Sequence, residues 1–231
     1  MEDHIIFDIM PNPPETSQEN QQGREKAPHL VLQNVVAFAP NRNTLGGTAY
    51  LIVNNSSSDL SQNILIDAPA WNNTNREFIA SQGGVQSAII THRGGLGQMA
   101  TIAKDLACEV IIQEQEAYLL PDTPKTTYHQ TYQIDLVASE NPLQVIWTPG
   151  HSPGSACIYY GGMLFTGRHL LPNHQMNPQP FQTAKTFHWP RQLRNVAKLQ
   201  ELFPQVQYLL PGASNGLLRG QGYIDMADRA W

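Results

Sequence analysis

The sequence predicts an α/β chain in which two β-rich halves pack sheet on sheet, with helices outside. Three observations carry this. Between Val31 and Asp67, three apolar runs are separated by turn-forming residues, which reads as antiparallel strands. From Asn73 to Leu120, short apolar runs alternate with helical periodicity, which extends the sheet and lays helices on it. From Tyr132 onward the order of strands followed by a helix recurs.

Taken in order, residues 11–28 are polar and proline-rich and read as an extended arm, so residues 1–29 form an arm and 30–231 a single domain. His4–Phe7 reads as a short docked strand or a frayed end. Val31–Ala39 reads as the first strand, Gly46-Gly47 as a turn, Ala49–Val53 as the second strand, Asn54–Asp59 as a polar turn and Asn63–Asp67 as the third strand. Asn73–Ala80 is a short helix capped by Asn72 or Asn73. Ser87–Thr91 is a buried strand. Met99, Ile102, Ala103 and Leu106 recur at helical spacing and predict a helix over 96–107. A strand at Val110–Ile112 and a short helix at Glu114–Leu120 follow. After the stretch 121–127, strands are expected at Tyr132–Val137 and Leu143–Trp147, then a hairpin of Ala156–Tyr160 and Met163–Thr166 through Gly161-Gly162. Residues 170–186 lack periodicity and read as a long loop. A helix begins after Pro190 and stops before Pro204; Val206–Leu210 is the last strand, and Ile224–Trp231 a short C-terminal helix. Ile52, Leu65, Ile89, Ile146, Ile158 and Leu209, each on an apolar run, are expected in the core.

The chain has 231 residues with 14% charged and a net charge of -5. No basic stripe speaks for nucleic acid, and no run approaches the roughly 20 apolar residues of a membrane span. The N-terminus lacks the basic region of a signal peptide, and Cys108 and Cys157 are too far apart in sequence for a metal or redox pair. A cytoplasmic location is the expectation.

The most informative stretch is Thr148-Pro149-Gly150-His151-Ser152-Pro153-Gly154-Ser155, a tight loop between two apolar runs that presents one imidazole. It resembles the loop of metallo-β-lactamase-fold hydrolases that carries a zinc-binding histidine. Four further segments fall in the order that resemblance requires: Thr48–Val53 with Ile64–Asp67, Ile89–His92, Leu164–Gly167 and Tyr208–Gly212. The resemblance covers most of residues 45–216. It implies a four-layer αββα sandwich of the glyoxalase II and metallo-hydrolase type, with its site along one edge of the sheets.

The ligands that the resemblance implies are mostly absent. The family motif T-H-x-H-x-D-H reads here as Thr91-His92-Arg93-Gly94-Gly95-Leu96-Gly97. His92 and His151 remain. The bridging aspartate is replaced by Arg168 and the last histidine by Ala213. Zinc takes three protein ligands in catalytic sites and about four in structural ones, and a guanidinium beside it repels the cation. No cofactor is therefore expected, although zinc belongs to the family. A rebuilt site of His92, His151 and His169 is the alternative; His169 and His174 otherwise read as polar residues of a surface loop. His188-Trp189-Pro190 reads as packing and capping. Ser152 and Ser155 lie near His151 but lack a visible orienting acid and oxyanion hole.

Three functional readings follow. One is a pseudoenzyme that binds a ligand or partner, another a hydrolase with a rebuilt or metal-free site, the third an assembly protein using the sandwich surface. The cleft of His92, Arg93, Gly94, Gly95, Gly97, His151 and Arg168 is expected to bind a small anion. In that reading Arg168 points into the cleft, the glycines open the N-terminus of the 96–107 helix, and His92 and His151 gain charge as pH falls through their range, near 6.5 if unperturbed. The alternative for Arg168 is an internal salt bridge to Asp67.

Overall fold

The computed structural model describes residues 26–54, 62–136, 141–214 and 216–229. The expected docked strand at His4–Phe7, most of the arm, the polar turn after Asn54 and the chain's last two residues lie outside them. Among these described residues, fifteen strands and three α-helices follow in chain order: β1 His29–Leu32, β2 Val35–Ala37, β3 Tyr50–Ile52, β4 Ile64–Ile66, α1 Asn73–Ser81, β5 Ser87–Ile89, α2 Met99–Leu106, β6 Glu109–Gln113, β7 Lys125–Tyr128, β8 Thr131–Ile134, β9 Leu143–Trp147, β10 Ala156–Tyr160, β11 Met163–Gly167, β12 Leu171–Pro172, β13 Pro178–Gln179, α3 Trp189–Leu202, β14 Tyr208–Pro211 and β15 Ile224–Asp225.

Two sheets form the centre. One has the order β1-β2-β3-β4-β5-β6-β7, the other β15-β14-β11-β10-β9-β8. The first is antiparallel from β1 to β4 and parallel from β4 to β7. Its register sets His29, Ala37, Tyr50, Ile66 and Ile89 in one row across five strands.

Alternation along each strand explains the layers. Ile64 and Ile66 point between the sheets with Tyr50, Ile89, Val145, Ile158 and Phe165. Leu65 points the other way, into a second core with Ile79 of α1 and Met99, Ile102 and Ala103 of α2. On the far side, Ile146, Cys157, Leu164 and Leu209 pack under Leu199 and Phe203 at the end of α3. Both sheet faces are covered, which is why the strands read as continuous apolar runs. The result is the four-layer αββα sandwich, and all six residues expected in the core are buried.

Several boundaries differ from the sequence reading. The first expected strand is two, β1 and β2, joined by a turn at Gln33-Asn34. The stretch 121–127, read as a connection, holds most of β7, whose Lys-Thr-Thr-Tyr is too polar to announce itself. The 96–107 helix starts at Met99, because Gly97 is left-handed with φ 44° and breaks the turn before it. The expected helix at Glu114–Leu120 is a 3₁₀ helix at Glu114–Leu119. The loop 170–186 contains the small pair β12 and β13. α3 begins at Trp189 and takes Pro190 into its first turn, where no donor is needed. Ile224-Asp225 is a strand pairing with β14 rather than the start of a helix. The cap at Asn72 and the hairpin turn at Gly161-Gly162, with φ of 54° and 80°, are as expected.

Candidate functional site

The site lies where β4, β5, β11 and β14 end along one edge of the sandwich. Asp67 follows β4 with φ 58°, a conformation uncommon for a non-glycine residue. The fold holds it there by what its carboxylate receives. Thr91 N–H donates to Oδ1 at 2.8 Å and Thr91 Oγ1–H to Oδ2 at 2.6 Å. Asp67 is buried, and desolvation pushes its carboxyl up to about 6 despite those bonds.

This fixes the tautomer of His92. Thr91 Oγ1 has one proton, and Asp67 takes it. The 2.9 Å contact between Thr91 Oγ1 and His92 Nδ1 is therefore Nδ1–H donating. Nε2 carries the lone pair, buried and without a partner. A Cβ on Gly94 would stand 2.9 Å from that nitrogen and 3.7 Å from Arg168 Nη1, so glycine keeps the two nitrogens from being separated. A Cβ on Gly95 would meet Asp67 Oδ1 at 2.2 Å, so this position accepts only glycine while Asp67 stays in place.

His151 packs its ring edge-on to His92, with centroids 5.2 Å apart. Its loop is held by the residues leading into α3: the amides of Phe187 and His188 donate to the His151 and Gly150 carbonyls at 3.1 and 2.9 Å. Burial, then Arg168 and Arg93, lower His151 to about 4. Burial first, then His151 and Arg168, hold His92 well below its ordinary value. Both rings are thus perturbed by burial and neutral at pH 6.5, where an unperturbed imidazole titrates.

His169 also departs from the sequence reading. It is fully buried, and burial first, then His151, lower it to about 3. Gln192 Nε2 donates to its carbonyl at 2.9 Å, while both ring nitrogens lack a partner. His174 is exposed, as expected.

Arg168 neither pairs closely with Asp67 nor hangs free. Its Nη2 donates to the carbonyls of Thr44 and Leu45 at 2.8 and 2.9 Å. That anchor points the guanidinium along the cleft wall, with Asp67 felt only at longer range. Arg93 donates through Nε to Glu116 Oε1 at 3.0 Å; Glu116 is fully buried. Glu116 and Gln192 escaped the sequence reading because an acid in a Glu-Gln-Glu run and an amide on a helix look like surface residues. Gly94 and Gly95 do not open α2, contrary to expectation. They form a 3₁₀ turn, Arg93–Gly95, whose Gly95 N–H is already bonded to His92 O at 2.8 Å.

With no family model and no curated protein matching the chain by sequence, structure alone supplies the comparison. Solved structures superpose over most of the chain. One is ETHE1 from Myxococcus xanthus, 15% identical with a TM-score of 0.62, covering 83% of this chain and 79% of that one. Another is an archaeal metallo-β-lactamase superfamily protein from Sulfolobus tokodaii, 12% identical, TM-score 0.61, covering 84% and 82%. A metallo-β-lactamase from Pontibacter korlensis is 17% identical, TM-score 0.61, covering 84% and 99%. The fold is that of the metallo-β-lactamases.

In this metallo-β-lactamase-fold cleft, Arg93, Gly94, His151 and Arg168 line one cavity. His92 and Gly95 lie behind that lining, against His151 and Asp67, and a Cβ on Gly97 would meet Ala68 and Thr44. Among the described residues, no three His, Cys, Asp or Glu side chains converge so as to hold a metal ion. The alternative set of His92, His151 and His169 is not brought together in that way. Nine buried side-chain polar atoms lack a partner among the described residues, and six surround this site: His92 Nε2, Glu116 Oε2, Arg168 Nε, both His169 nitrogens and Gln192 Oε1. Above them opens a cavity of about 1500 Å³. Lys26, Arg93, Arg168, Lys185 and Arg219 line it, and among the described residues no Asp or Glu does. Among the described residues no helix is long and apolar enough to cross a membrane.

Proposed function

We propose that this protein is a metal-independent member of the metallo-β-lactamase fold that binds an organic anion in the cleft where such proteins hold metal. The observation that carries the reading is the cavity lining. Five of the chain's 14 Lys and Arg line one cavity, in a protein of net charge -5, and no described Asp or Glu lines it; Glu116, paired with Arg93, lies behind the lining. A cation is repelled there and an anion attracted.

The donor set supports the same reading. Gly94, Leu96, Gly97 and Ala213 offer no side-chain ligand, and Arg168 stands where the resemblance expects a bridging carboxylate. His92 and His151 alone are fewer than zinc requires. Asp67 is already engaged by Thr91. Hydrolase chemistry of the metal-dependent kind has no residues to run on here, so the protein acts by binding.

Elemental analysis combined with titration tests this. Purified protein is expected to carry far less than one equivalent of zinc, iron or manganese. Inorganic phosphate and acetate are expected to raise the melting temperature, and Arg168→Gln to reduce that response at least fivefold. One equivalent of tightly held metal lost in His92→Ala, or a wild type indifferent to every anion, overturns the proposal.

A further inference from the structure

The cavity is much larger than a simple anion needs, and its cations are not in one place. Small-molecule sites commonly occupy about 300–1,000 Å³; this one measures about 1500 Å³. Arg93 follows β5 and Arg168 follows β11, next to His151. Lys26 precedes β1, and Arg219 lies in the connection from β14 to β15. The row His29–Ala37–Tyr50–Ile66–Ile89 puts the start of β1 and the end of β5 on the same sheet edge, four strand spacings apart. At about 4.8 Å per spacing, that is about 19 Å for a flat sheet and less for a twisted one.

The second sheet repeats the arrangement. Gly167, just before Arg168, pairs with Pro211 on β14. β15, where the connection carrying Arg219 ends, is the outermost strand. That connection folds back onto the β1 side, because a Cβ on Gly222 would touch Val31 and Ala37. Tyr50 lies against it, its hydroxyl within 2.8 Å of both the Pro211 and the Gly222 carbonyl and its one proton shared between them. Phe38, Tyr50 and Leu218 line the cavity as well, giving it apolar wall.

Resting on the anion-binding reading, we infer that the ligand is an elongated organic dianion. One charged group sits at Arg168, Arg93 and His151, the other at Lys26 and Arg219, and an apolar body crosses between them. A single small anion would engage one end and leave the cations at the other end without a counterion. Two anionic ends satisfy both, and the intervening chain removes apolar wall from water.

A ruler experiment tests the inference on the wild-type protein. Affinities are measured by calorimetry for succinate, suberate, dodecanedioate and the matched monoanion dodecanoate, with inorganic phosphate as the short reference. Dodecanedioate is expected to bind at least tenfold more tightly than both succinate and dodecanoate. Arg219→Gln is expected to remove at least fivefold of that affinity while leaving phosphate within twofold. If dodecanoate equals dodecanedioate, or succinate does, the two-ended ligand is wrong while the anion site stands. If phosphate fails along with all the carboxylates, both proposals fall. If Arg219→Gln weakens phosphate and dodecanedioate equally, the second end does not exist.

Discussion

Two glycine-rich segments face each other across the cleft, and their glycines have opposite meanings. In the loop 148–155 the glycines are places where the protein leaves no room. A Cβ on Gly150 would sit 2.4 Å from the Cα of Gln192, and one on Gly154 would sit 2.7 Å from Glu116 Cγ. In the turn 91–97, Gly95 is crowded in the same way by Asp67, but Gly94 meets only the edge of the His92 ring and, farther off, Arg168. Glycine thus marks tight backbone packing in the loop, while at position 94 it marks a side chain the cleft does without. Composition treats the two alike; only the neighbours separate them.

The sharpest way to break this comparison is a pair of alanine substitutions. Gly150→Ala drives a methyl group into the backbone of α3, which cannot give way without moving the helix, and should cost about 2–3 kcal/mol. Gly94→Ala displaces one imidazole edge and should cost about half as much. Urea midpoints at constant slope measure both. Equal costs would show that position 94 is packed like position 150 and that the contrast is false.

The fold was legible because its strands are buried on both faces, so each announces itself as an apolar run and the turns between them as glycine and asparagine. β7 and β15 were missed because Lys-Thr-Thr-Tyr and Ile-Asp carry little apolar signal and depend on pairing already in place. At the site, His92, His151 and Arg168 were legible by their place in the motif. Their states were not, since neutrality of the rings comes from burial by residues far away in sequence. His169 shows the limit most clearly. It follows an arginine in an aperiodic stretch, yet Gln192 of α3 takes its carbonyl and buries it. Lys26 and Arg219 reach the cavity through sheet register, which no local pattern encodes.

The two sides of the cleft also respond oppositely to acid. His169 has a folded value of about 3 against an ordinary 6.5. Above pH 6.5 both states are neutral and it contributes nothing. Below it the unfolded chain binds a proton that the folded one refuses, so stability falls as pH drops from 6.5 toward 3. At pH 5 the loss is about 2 kcal/mol. Asp67 runs the other way. Its folded value of about 6 lies above the ordinary 3.8, so stability is gained as pH falls from 6 to 3.8, about 1.4 kcal/mol at pH 5. His92 and His151, also held neutral, add to the loss, and acid destabilises on balance. Denaturation profiles from pH 7 to 5 should therefore flatten in His169→Gln and steepen in Asp67→Asn. Parallel profiles for wild type and both variants would remove the distinction.

The smallest expected effect concerns what supports each segment. The turn 91–97 leans on Asp67, and its 3₁₀ turn has no side-chain cap. The loop 148–155 leans on the start of α3, where His188 Nδ1 accepts the Arg191 N–H at 3.2 Å. The same N–H is also within 3.1 Å of the His188 carbonyl, so the imidazole shares its work. Losing a cap costs about 0.5–2 kcal/mol, and this shared one belongs near the lower end. His188→Ala should therefore lower the melting temperature by about 1–2 °C, half the shift that about 1 kcal/mol produces in a domain of this size. His188→Asn, which keeps an acceptor at the cap, should restore most of it. Phosphate binding serves as the second readout. If the loop takes its position from α3, His188→Ala weakens phosphate modestly and His188→Asn recovers it together with stability. A drop in stability with unchanged phosphate affinity would mean that the loop keeps its position without the His188 cap, through its other contacts with α3.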